Sequence, residues 1–217
     1  MNRKISIVKD YGKEFWYVRE LQKILKYKDW RSQTNMKTIE TQRFYLTTIT
    51  MQDIDNVYNI LCKENVIANL NMEIHKSIED TKKLIENYLA ELENKTKFPY
   101  KIIDKKSKEF IGVFLNKLDL YDEDCFEFTI YLDEKYWGKG IYTEVLPYMI
   151  DSAFEVAQTG NYRGFVKESN IASRKVLEKS NLKLEKIFNV PGIEEKIYSF
   201  LITREEWKNL NLHQHIL

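Results

Sequence analysis

The pattern of apolar segments predicts an α/β fold, in which helices pack on the faces of a mixed sheet. Strand-like runs alternate with segments of helical period along most of the chain. The predicted order is β-α-α-β-β-β-α-β-α-β-β. Its strands cover residues 43–48, 99–103, 110–118, 125–132, 162–167, 183–190 and 196–203, and its helices begin near residues 54, 78, 143 and 173.

Capping and turn residues support the bounds of these elements. Thr50 and Asp53 form a capping-box pattern before the first helix, and Ser77 is placed to cap the second. Pro191 and Gly192 indicate the turn that pairs the last two strands. The apolar side of the second helix is predicted to consist of Ile78, Leu84, Ile85, Tyr88 and Leu92.

The length of the chain suits one domain with a smaller appendage. Residues 1–38 form a basic, aromatic-rich appendage, residues 39–205 the main domain, and residues 206–217 a C-terminal tail. The appendage could be a packing arm, a dimer arm or a lid over a substrate. As a lid, it could place Trp30 against that substrate. A helical spacing within the appendage is carried by Phe15, Val18, Leu21 and Leu25.

The composition argues against several classes of protein. The formal net charge of +1 gives no argument for nucleic acid or a membrane surface as a partner. Cys62 and Cys125 do not suggest a disulfide scaffold, and His213 and His215 alone do not make a metal site. No segment resembles a signal peptide or a membrane span, so we expect a cytoplasmic protein without a metal.

A glycine loop, residues 135–140, joins a predicted strand to a predicted helix. Gly138 and Gly140 let backbone N–H groups converge, and the following helix adds unpaired N–H groups and a partial positive charge. This combination indicates a pyrophosphate site. The loop matches neither the Walker A motif nor the dinucleotide motif, which needs a third glycine. On the two glycines alone, a tight turn without a ligand is equally open.

Four segments of the chain match one family pattern in the right order. The glycine loop reads K-Y-W-G-K-G against Q/R-x-x-G-x-G/A, and Thr143-Glu144 follows it as in x-x-T-E-A. Residues 170–182 follow N-x-x-S-x-x-V/L-L/A-E-K-x-G-F, with Asn181-Leu182 in place of Gly-Phe. Residues 40–46 and 75–81 are similar to E-T-E/D-R-L-x-L and H-x-S-x-E-x-A/T. Residues 39–204 therefore resemble the GNAT acetyltransferases, in the branch of the ribosomal-protein N-terminal acetyltransferases RimJ and RimL.

This resemblance implies the GNAT fold, whose mixed, mostly antiparallel sheet splays between the fourth and fifth predicted strands. It also implies acetyl-CoA as the co-substrate. The pyrophosphate would lie on the glycine loop, and the pantetheine arm would pair with exposed strand backbone in the gap. The residues assigned to acetyl-CoA in this way are Ile130, Tyr131, Leu132, Trp137, Gly138, Lys139, Gly140, Ile141, Tyr142, Asn170 and Ser173.

The resemblance also implies candidate catalytic and acceptor residues. Glu127 matches a frequent glutamate of the branch and is the candidate general base, with a structural carboxylate as the open alternative. Leu177 stands where many members have the tyrosine that protonates the thiolate, so Ser173 is the substitute candidate. His75 and Thr129 are expected to border the acceptor, although His75 could equally be a loop histidine bonded to backbone.

The implied activity is that of an acetyl-CoA-dependent N-acetyltransferase, which moves an acetyl group to a primary amine by direct transfer in a ternary complex. The acceptor is expected to be a small-molecule amine or a protein N-terminus, and the protein a monomer or a homodimer. The alternative is a non-catalytic module on the same scaffold, which binds acyl-CoA or another protein.

Overall fold

The computed structural model describes residues 36–119, 122–157 and 159–214. The helical spacing predicted for the appendage, the role considered for Trp30 and the position of His215 lie outside these residues. None of the described helices has the length and apolarity needed to cross a membrane.

Eight strands and six α-helices are present in the described residues. The strands are β1 (Ile39–Glu40), β2 (Phe44–Thr48), β3 (Lys97–Asp104), β4 (Phe110–Leu118), β5 (Cys125–Leu132), β6 (Asn161–Lys167), β7 (Lys183–Phe188) and β8 (Ile197–Thr203). The helices are α1 (Ile54–Leu61), α2 (Glu64–Ile67), α3 (Ile78–Glu93), α4 (Ile141–Val156), α5 (Ile171–Lys179) and α6 (Arg204–Gln214). A 3₁₀ turn at Met51–Asp53 precedes α1, and a second one at Glu134–Tyr136 leads into the glycine loop.

The eight strands form one open sheet in the order β1-β2-β3-β4-β5-β6-β8-β7. Neighbouring strands are antiparallel except β5 and β6, which are parallel and are connected through α4. The predicted mixed, mostly antiparallel sheet flanked by helices is confirmed. The structure adds β1, α2, the turn at Glu134–Tyr136 and α6, which are too short or too polar for the sequence pattern to indicate.

The parallel pairing of β5 and β6 is short, and it marks the place where the sheet opens. The strands pair at Cys125–Asn161, Phe126–Tyr162 and Glu127–Arg163, and no later register pair joins them in the described part of the chain. The remaining residues of β5 pair only with β4, and those of β6 only with β8. This gap lies between the fourth and fifth predicted strands, as the family resemblance implies.

Helices α1 and α3 cover one face of the sheet, and α4 covers the other. Val113 of β4 and Tyr131 of β5 belong to a buried cluster with residues of α1 and α3. On the opposite face, Asn116 of β4 donates its side-chain N–H to the carbonyl of Met149 in α4 at 2.9 Å. Successive strand residues point to opposite faces, so Glu127 and Thr129 share the α1/α3 face with Tyr131.

The ring of Phe128 fills the beginning of the gap. It stacks on Tyr162 of β6, with ring centroids 5.2 Å apart, and on Phe114 of β4 at 5.3 Å. Gly164 of β6 lies beside it, and a Cβ atom at Gly164 would come within 2.7 Å of the Phe128 ring. The absence of a side chain at Gly164 therefore allows the aromatic ring to reach this position.

We expect Gly164→Ala to lower the free energy of unfolding by about 1–3 kcal/mol, because a methyl group there overpacks a ring that is held on both sides. Urea unfolding measures this loss. The double variant Gly164→Ala/Phe128→Leu should recover part of it, because the smaller side chain makes room for the methyl group. If the loss in the double variant equals the sum of the losses in the two single variants, the two residues do not compete for the same space.

Helices α3 and α6 differ in part from the sequence prediction. Ser77 caps α3 as predicted, with its hydroxyl accepting the Asp80 N–H, but Ile78 is 50% exposed and does not belong to the apolar side of α3. Residues 206–214, which the sequence pattern places in a tail, are helical in α6. Trp207 is buried there and donates its indole N–H to Asp151 at 2.6 Å.

Candidate active site

The glycine loop gathers backbone N–H groups at the start of α4. Gly138 and Gly140 have φ values of 70° and 69°, which favour glycine, and Gly140 is the N-cap of α4. Within the described residues, the N–H groups of Gly138, Lys139 and Gly140 donate no hydrogen bond to another protein group. The first N–H groups of α4 have no partner within the helix. These donors, together with the partial positive end of α4, could hold an anion at one end of the gap.

Side chains of the glycine loop and of the first turn of α4 surround these N–H groups. The Ile141 side chain is buried, and the Tyr142 ring meets Phe128 edge-on at 6.3 Å between centroids. Burial raises the pKa of Tyr142, so its phenol stays neutral. Lys135 and Lys139 place their Nζ atoms 4.7 and 5.3 Å from the centroid of the buried Tyr136 ring. An anion held here would therefore depend on main-chain N–H groups and on Lys139, because Lys135 is paired with Glu109 at 3.1 Å.

Main-chain groups of β5 alternate between β4 and the gap. Asp133 donates its N–H to Ile111 of β4, and Cys125 accepts from Asp119 on the same side. Odd-numbered residues of β5 therefore direct their backbone groups at β4. Ile130 and Leu132 consequently face the gap, as expected for a strand that pairs with pantetheine.

Tyr131 has a different environment from its two neighbours. Its carbonyl group faces Gly112 of β4, and its side chain is buried in the α1/α3 cluster. Of the three residues assigned to pantetheine pairing, only Ile130 and Leu132 therefore present backbone to the gap. The Leu132 carbonyl accepts the indole N–H of Trp137 at 3.1 Å, which ties the exposed Trp137 to the end of β5.

Glu127 lies at the point where β5 and β6 separate. Its carboxylate forms an ion pair with Lys117, the residue opposite it on β4. The carboxylate therefore has a charged partner beside it. The side chain of Glu127 keeps 16% of its surface exposed, so the carboxylate is accessible at the opening of the gap.

Arg163, opposite Glu127 on β6, holds a second charged cluster. Its guanidinium contacts Asp119 at 2.9 Å, Asp122 at 3.1 Å and Glu185 at 3.0 Å. Burial alone would lower the pKa of Arg163, but hydrogen bonds with Glu185 and Asp122 outweigh it and raise the pKa. The cluster joins β6 and β7 to the segment before β5. Nothing in the local sequence pattern indicated it, because Arg163 stands alone in an apolar strand.

Asn170 and Ser173 lie at the start of α5, which follows the other wall of the gap. The Asn170 side chain accepts the Ser173 N–H at 3.1 Å and so caps α5. Leu177, which replaces the family's tyrosine, is buried and approaches Gly164. Asn181, which stands in place of the family's glycine, follows the helix with a φ of 64°, a left-handed conformation that asparagine tolerates.

The two residues expected to border the acceptor lie in different surroundings. Thr129 is opposite Leu115 of β4, two positions beyond Glu127 on the same face. His75 is 9% exposed, and its Nδ1 lies 2.7 Å from the Thr81 hydroxyl of α3. The backbone N–H of His75 donates to Leu61 of α1 at 3.1 Å. His75 therefore holds the connection before α3 in place.

The pKa of His75 is lowered from 6.5 by burial, and Asp80 offsets this only in part. Because the unfolded chain binds the proton more readily, stability should fall as the pH drops below about 6.5 through the lower pKa of the folded state. We expect His75→Gln to lose less unfolding free energy than the parent protein between about pH 7.5 and pH 5.5. Urea unfolding at several pH values measures this difference, and parallel pH slopes would contradict it.

Comparisons with known proteins identify the family of this domain. Residues 43–183 match the family model described as an acetyltransferase (GNAT) domain. An uncharacterised N-acetyltransferase of Bacillus subtilis, YoaA, is 22% identical over 173 residues, which are 77% of this chain and 98% of that protein.

Two solved structures share the fold at low sequence identity. RimL, a ribosomal L7/L12 α-N-protein acetyltransferase in complex with coenzyme A, is 15% identical with a TM-score of 0.68, over 78% of this chain and 99% of that one. Spermidine N-acetyltransferase from Vibrio cholerae, in complex with CoA and spermine, is 16% identical with a TM-score of 0.67, over 76% of this chain and 98% of that one.

Proposed function

The chain belongs to the GNAT acetyltransferase family and is an N-acetyltransferase, and from this premise we propose that it transfers the acetyl group of acetyl-CoA directly to a primary amine in a ternary complex. The single observation that carries this proposal is the junction of the glycine loop with the gap between β5 and β6. N–H groups that could hold a pyrophosphate lie at one end, and the backbone of Ile130 and the N–H of Leu132 face the gap along the wall.

The residues at the end of the β5–β6 pairing suit the proton transfers of this reaction. Ionised Glu127 would take a proton from the bound ammonium group, so that the nitrogen lone pair can attack the thioester carbonyl carbon. A backbone N–H that faces the gap, such as that of Ile130, would donate to the oxyanion as it forms. As the carbon–sulfur bond breaks, the nitrogen loses its extra proton, and Ser173 would relay that proton to the leaving thiolate, directly or through water.

The charges near the opening favour a small cationic amine as the acceptor. Glu127 and the carboxylates around Arg163 put more negative than positive charge on this side of the gap. A protein N-terminus is the second candidate, because RimL, a ribosomal L7/L12 α-N-protein acetyltransferase, has the same fold. Thr129 would face either acceptor. His75 would act on it only indirectly, by holding the connection before α3.

Thiol release from acetyl-CoA in the presence of an amine panel tests the proposal. The panel contains spermidine, an aminoglycoside, free amino acids and short peptides, with an N-terminally blocked peptide as the matched control. We expect one amine class to accelerate thiol release and to gain an acetyl group by mass spectrometry. Tight CoA binding without acceleration by any amine would favour the non-catalytic module.

Gel filtration and cell fractionation test the further predictions of a monomer or homodimer and of a cytoplasmic location.

A further inference from the structure

Three residues connect the beginning of the domain to the first turn of α4. The Glu144 carboxylate accepts hydrogen bonds from the Thr41 hydroxyl at 2.6 Å, the Arg43 backbone N–H at 2.8 Å and the Arg43 Nε at 2.5 Å. Thr41 and Arg43 form the turn between β1 and β2, about a hundred residues earlier in the chain. We call Thr41, Arg43 and Glu144 the latch.

The latch also fixes the orientation of a peptide group in the glycine loop. Arg43 Nη1 donates to the Lys139 carbonyl at 3.1 Å, and Nη2 lies 3.8 Å from the place of a Cβ atom on Gly140. The peptide between Lys139 and Gly140 is trans and planar, so its carbonyl and N–H groups point in opposite directions. Because Arg43 holds the Lys139 carbonyl, the Gly140 N–H points away from the Arg43 guanidinium, toward the side where an anion would bind.

Charge gives the latch a second effect on the same site. Burial alone would raise the pKa of Glu144, but hydrogen bonds from Thr41 and Arg43 outweigh it and lower the pKa. The side chain is thus a carboxylate at neutral pH, one turn into the helix whose N-terminus faces the anion. Without Arg43, this negative charge would repel a phosphate; with Arg43, it is neutralised and hydrogen-bonded on both oxygens.

We propose that Arg43 and Glu144 are positioning residues for acetyl-CoA, which hold the glycine loop in its pyrophosphate-binding conformation without touching the cofactor. The inference rests on the proposed function, because it takes the glycine loop as the pyrophosphate site. The opening segment of the domain is part of the family resemblance, but it has no role in the proposed reaction. The inference gives that segment a role.

The test measures the dissociation constants of CoA and of dephospho-CoA, which lacks the 3′-phosphate, by titration calorimetry. We expect Arg43→Ala to weaken both ligands by at least about tenfold, with the acceptor KM and the kcat at saturating acetyl-CoA unchanged. Arg43→Lys should weaken them less. Lys183→Ala, which removes an exposed ion pair with Glu206, is the matched control and should bind both ligands as the parent does.

A double variant separates this arrangement from a merely structural ion pair. Arg43→Ala/Glu144→Gln should bind CoA more tightly than Arg43→Ala, because it removes the unpaired carboxylate beside the phosphate site. A loss of fold stability alone would make the double variant no better than the single one, and that result would overturn the proposal. Thermal unfolding of each variant shows whether it is folded in the titration.

Three other results would also contradict the proposal. Affinity within twofold of the parent for Arg43→Ala would show that the loop does not need the latch. A loss confined to CoA, with dephospho-CoA unaffected, would mean that Arg43 binds the 3′-phosphate directly. If the parent protein itself binds neither ligand, the proposed function fails, and the latch has no cofactor to position.

Discussion

Gly140→Glu is expected to abolish CoA binding, with a rise in the dissociation constant of about 100-fold or more. A carboxylate at this position lies beside Arg43 and close to the N–H groups that would hold the pyrophosphate, so it draws Arg43 away from Glu144 and repels the anion. Each tenfold loss corresponds to about 1.4 kcal/mol, and a like charge at contact distance in a partly screened site readily exceeds twice that value.

The folded structure should survive this substitution, which makes the experiment informative. The nearest atom to a Cβ on Gly140 is Arg43 Nη2 at 3.8 Å, so the side chain has room. The backbone φ of 69° costs a residue other than glycine roughly 1–2 kcal/mol. Some stability is therefore lost for reasons unrelated to the ligand.

Gly192→Glu is the matched control for that strain. Gly192 has a φ of 85°, and a Cβ atom there would meet no described atom within 4 Å. It lies in the turn between β7 and β8, outside the glycine loop. We expect similar destabilisation in both variants but unchanged CoA affinity for Gly192→Glu. Near-normal affinity for Gly140→Glu would refute the placement of the pyrophosphate on this loop.

Glu127→Gln is expected to lower kcat/KM for the amine by about 10²–10⁴, which is the range for loss of a general acid or base. The amide has nearly the shape of the carboxylate but cannot accept a proton at neutral pH. The affinity for CoA should stay within about twofold, because the carboxylate lies on the α1/α3 face of β5 rather than on the loop.

Lys117→Met provides the control for the structural alternative. It removes the ion pair with Glu127 and leaves the carboxylate in place. If the pair matters only for packing, both variants should lose similar stability and similar activity. If Glu127 is the base, Lys117→Met should retain most of the activity that Glu127→Gln loses. An activity of Glu127→Gln within threefold of the parent protein would contradict the proposed role.

Local sequence patterns predicted most of the elements. The bounds of β4 and β5 agree with the predicted strands at residues 110–118 and 125–132, because apolar side chains continue through both. The cap at Ser77 and the left-handed Asn181 were also predictable, since each depends on a few neighbouring residues. The glycine loop belongs to the same class: two glycines between a strand and a helix determine where its N–H groups converge.

Contacts between distant residues were not predictable in this way. The exposure of Ile78, the burial of His75 against Thr81 and the carboxylates around Arg163 depend on which elements pack together. The direction of the Tyr131 backbone depends on the register between β4 and β5, since a shift of one residue would reverse it.

By itself, the amino-acid sequence determined the order of strands and helices, the glycine loop between a strand and a helix, and the resemblance to acetyltransferases. These features follow from residues that are close together in the chain. Only the tertiary structure decided that β5 and β6 separate after Glu127, that Glu127 pairs with Lys117, and that Arg43 bonds to Glu144 and to the Lys139 carbonyl. Each of these depends on an ion pair or a register between segments far apart in sequence, and short-range pattern carries no information about such partners.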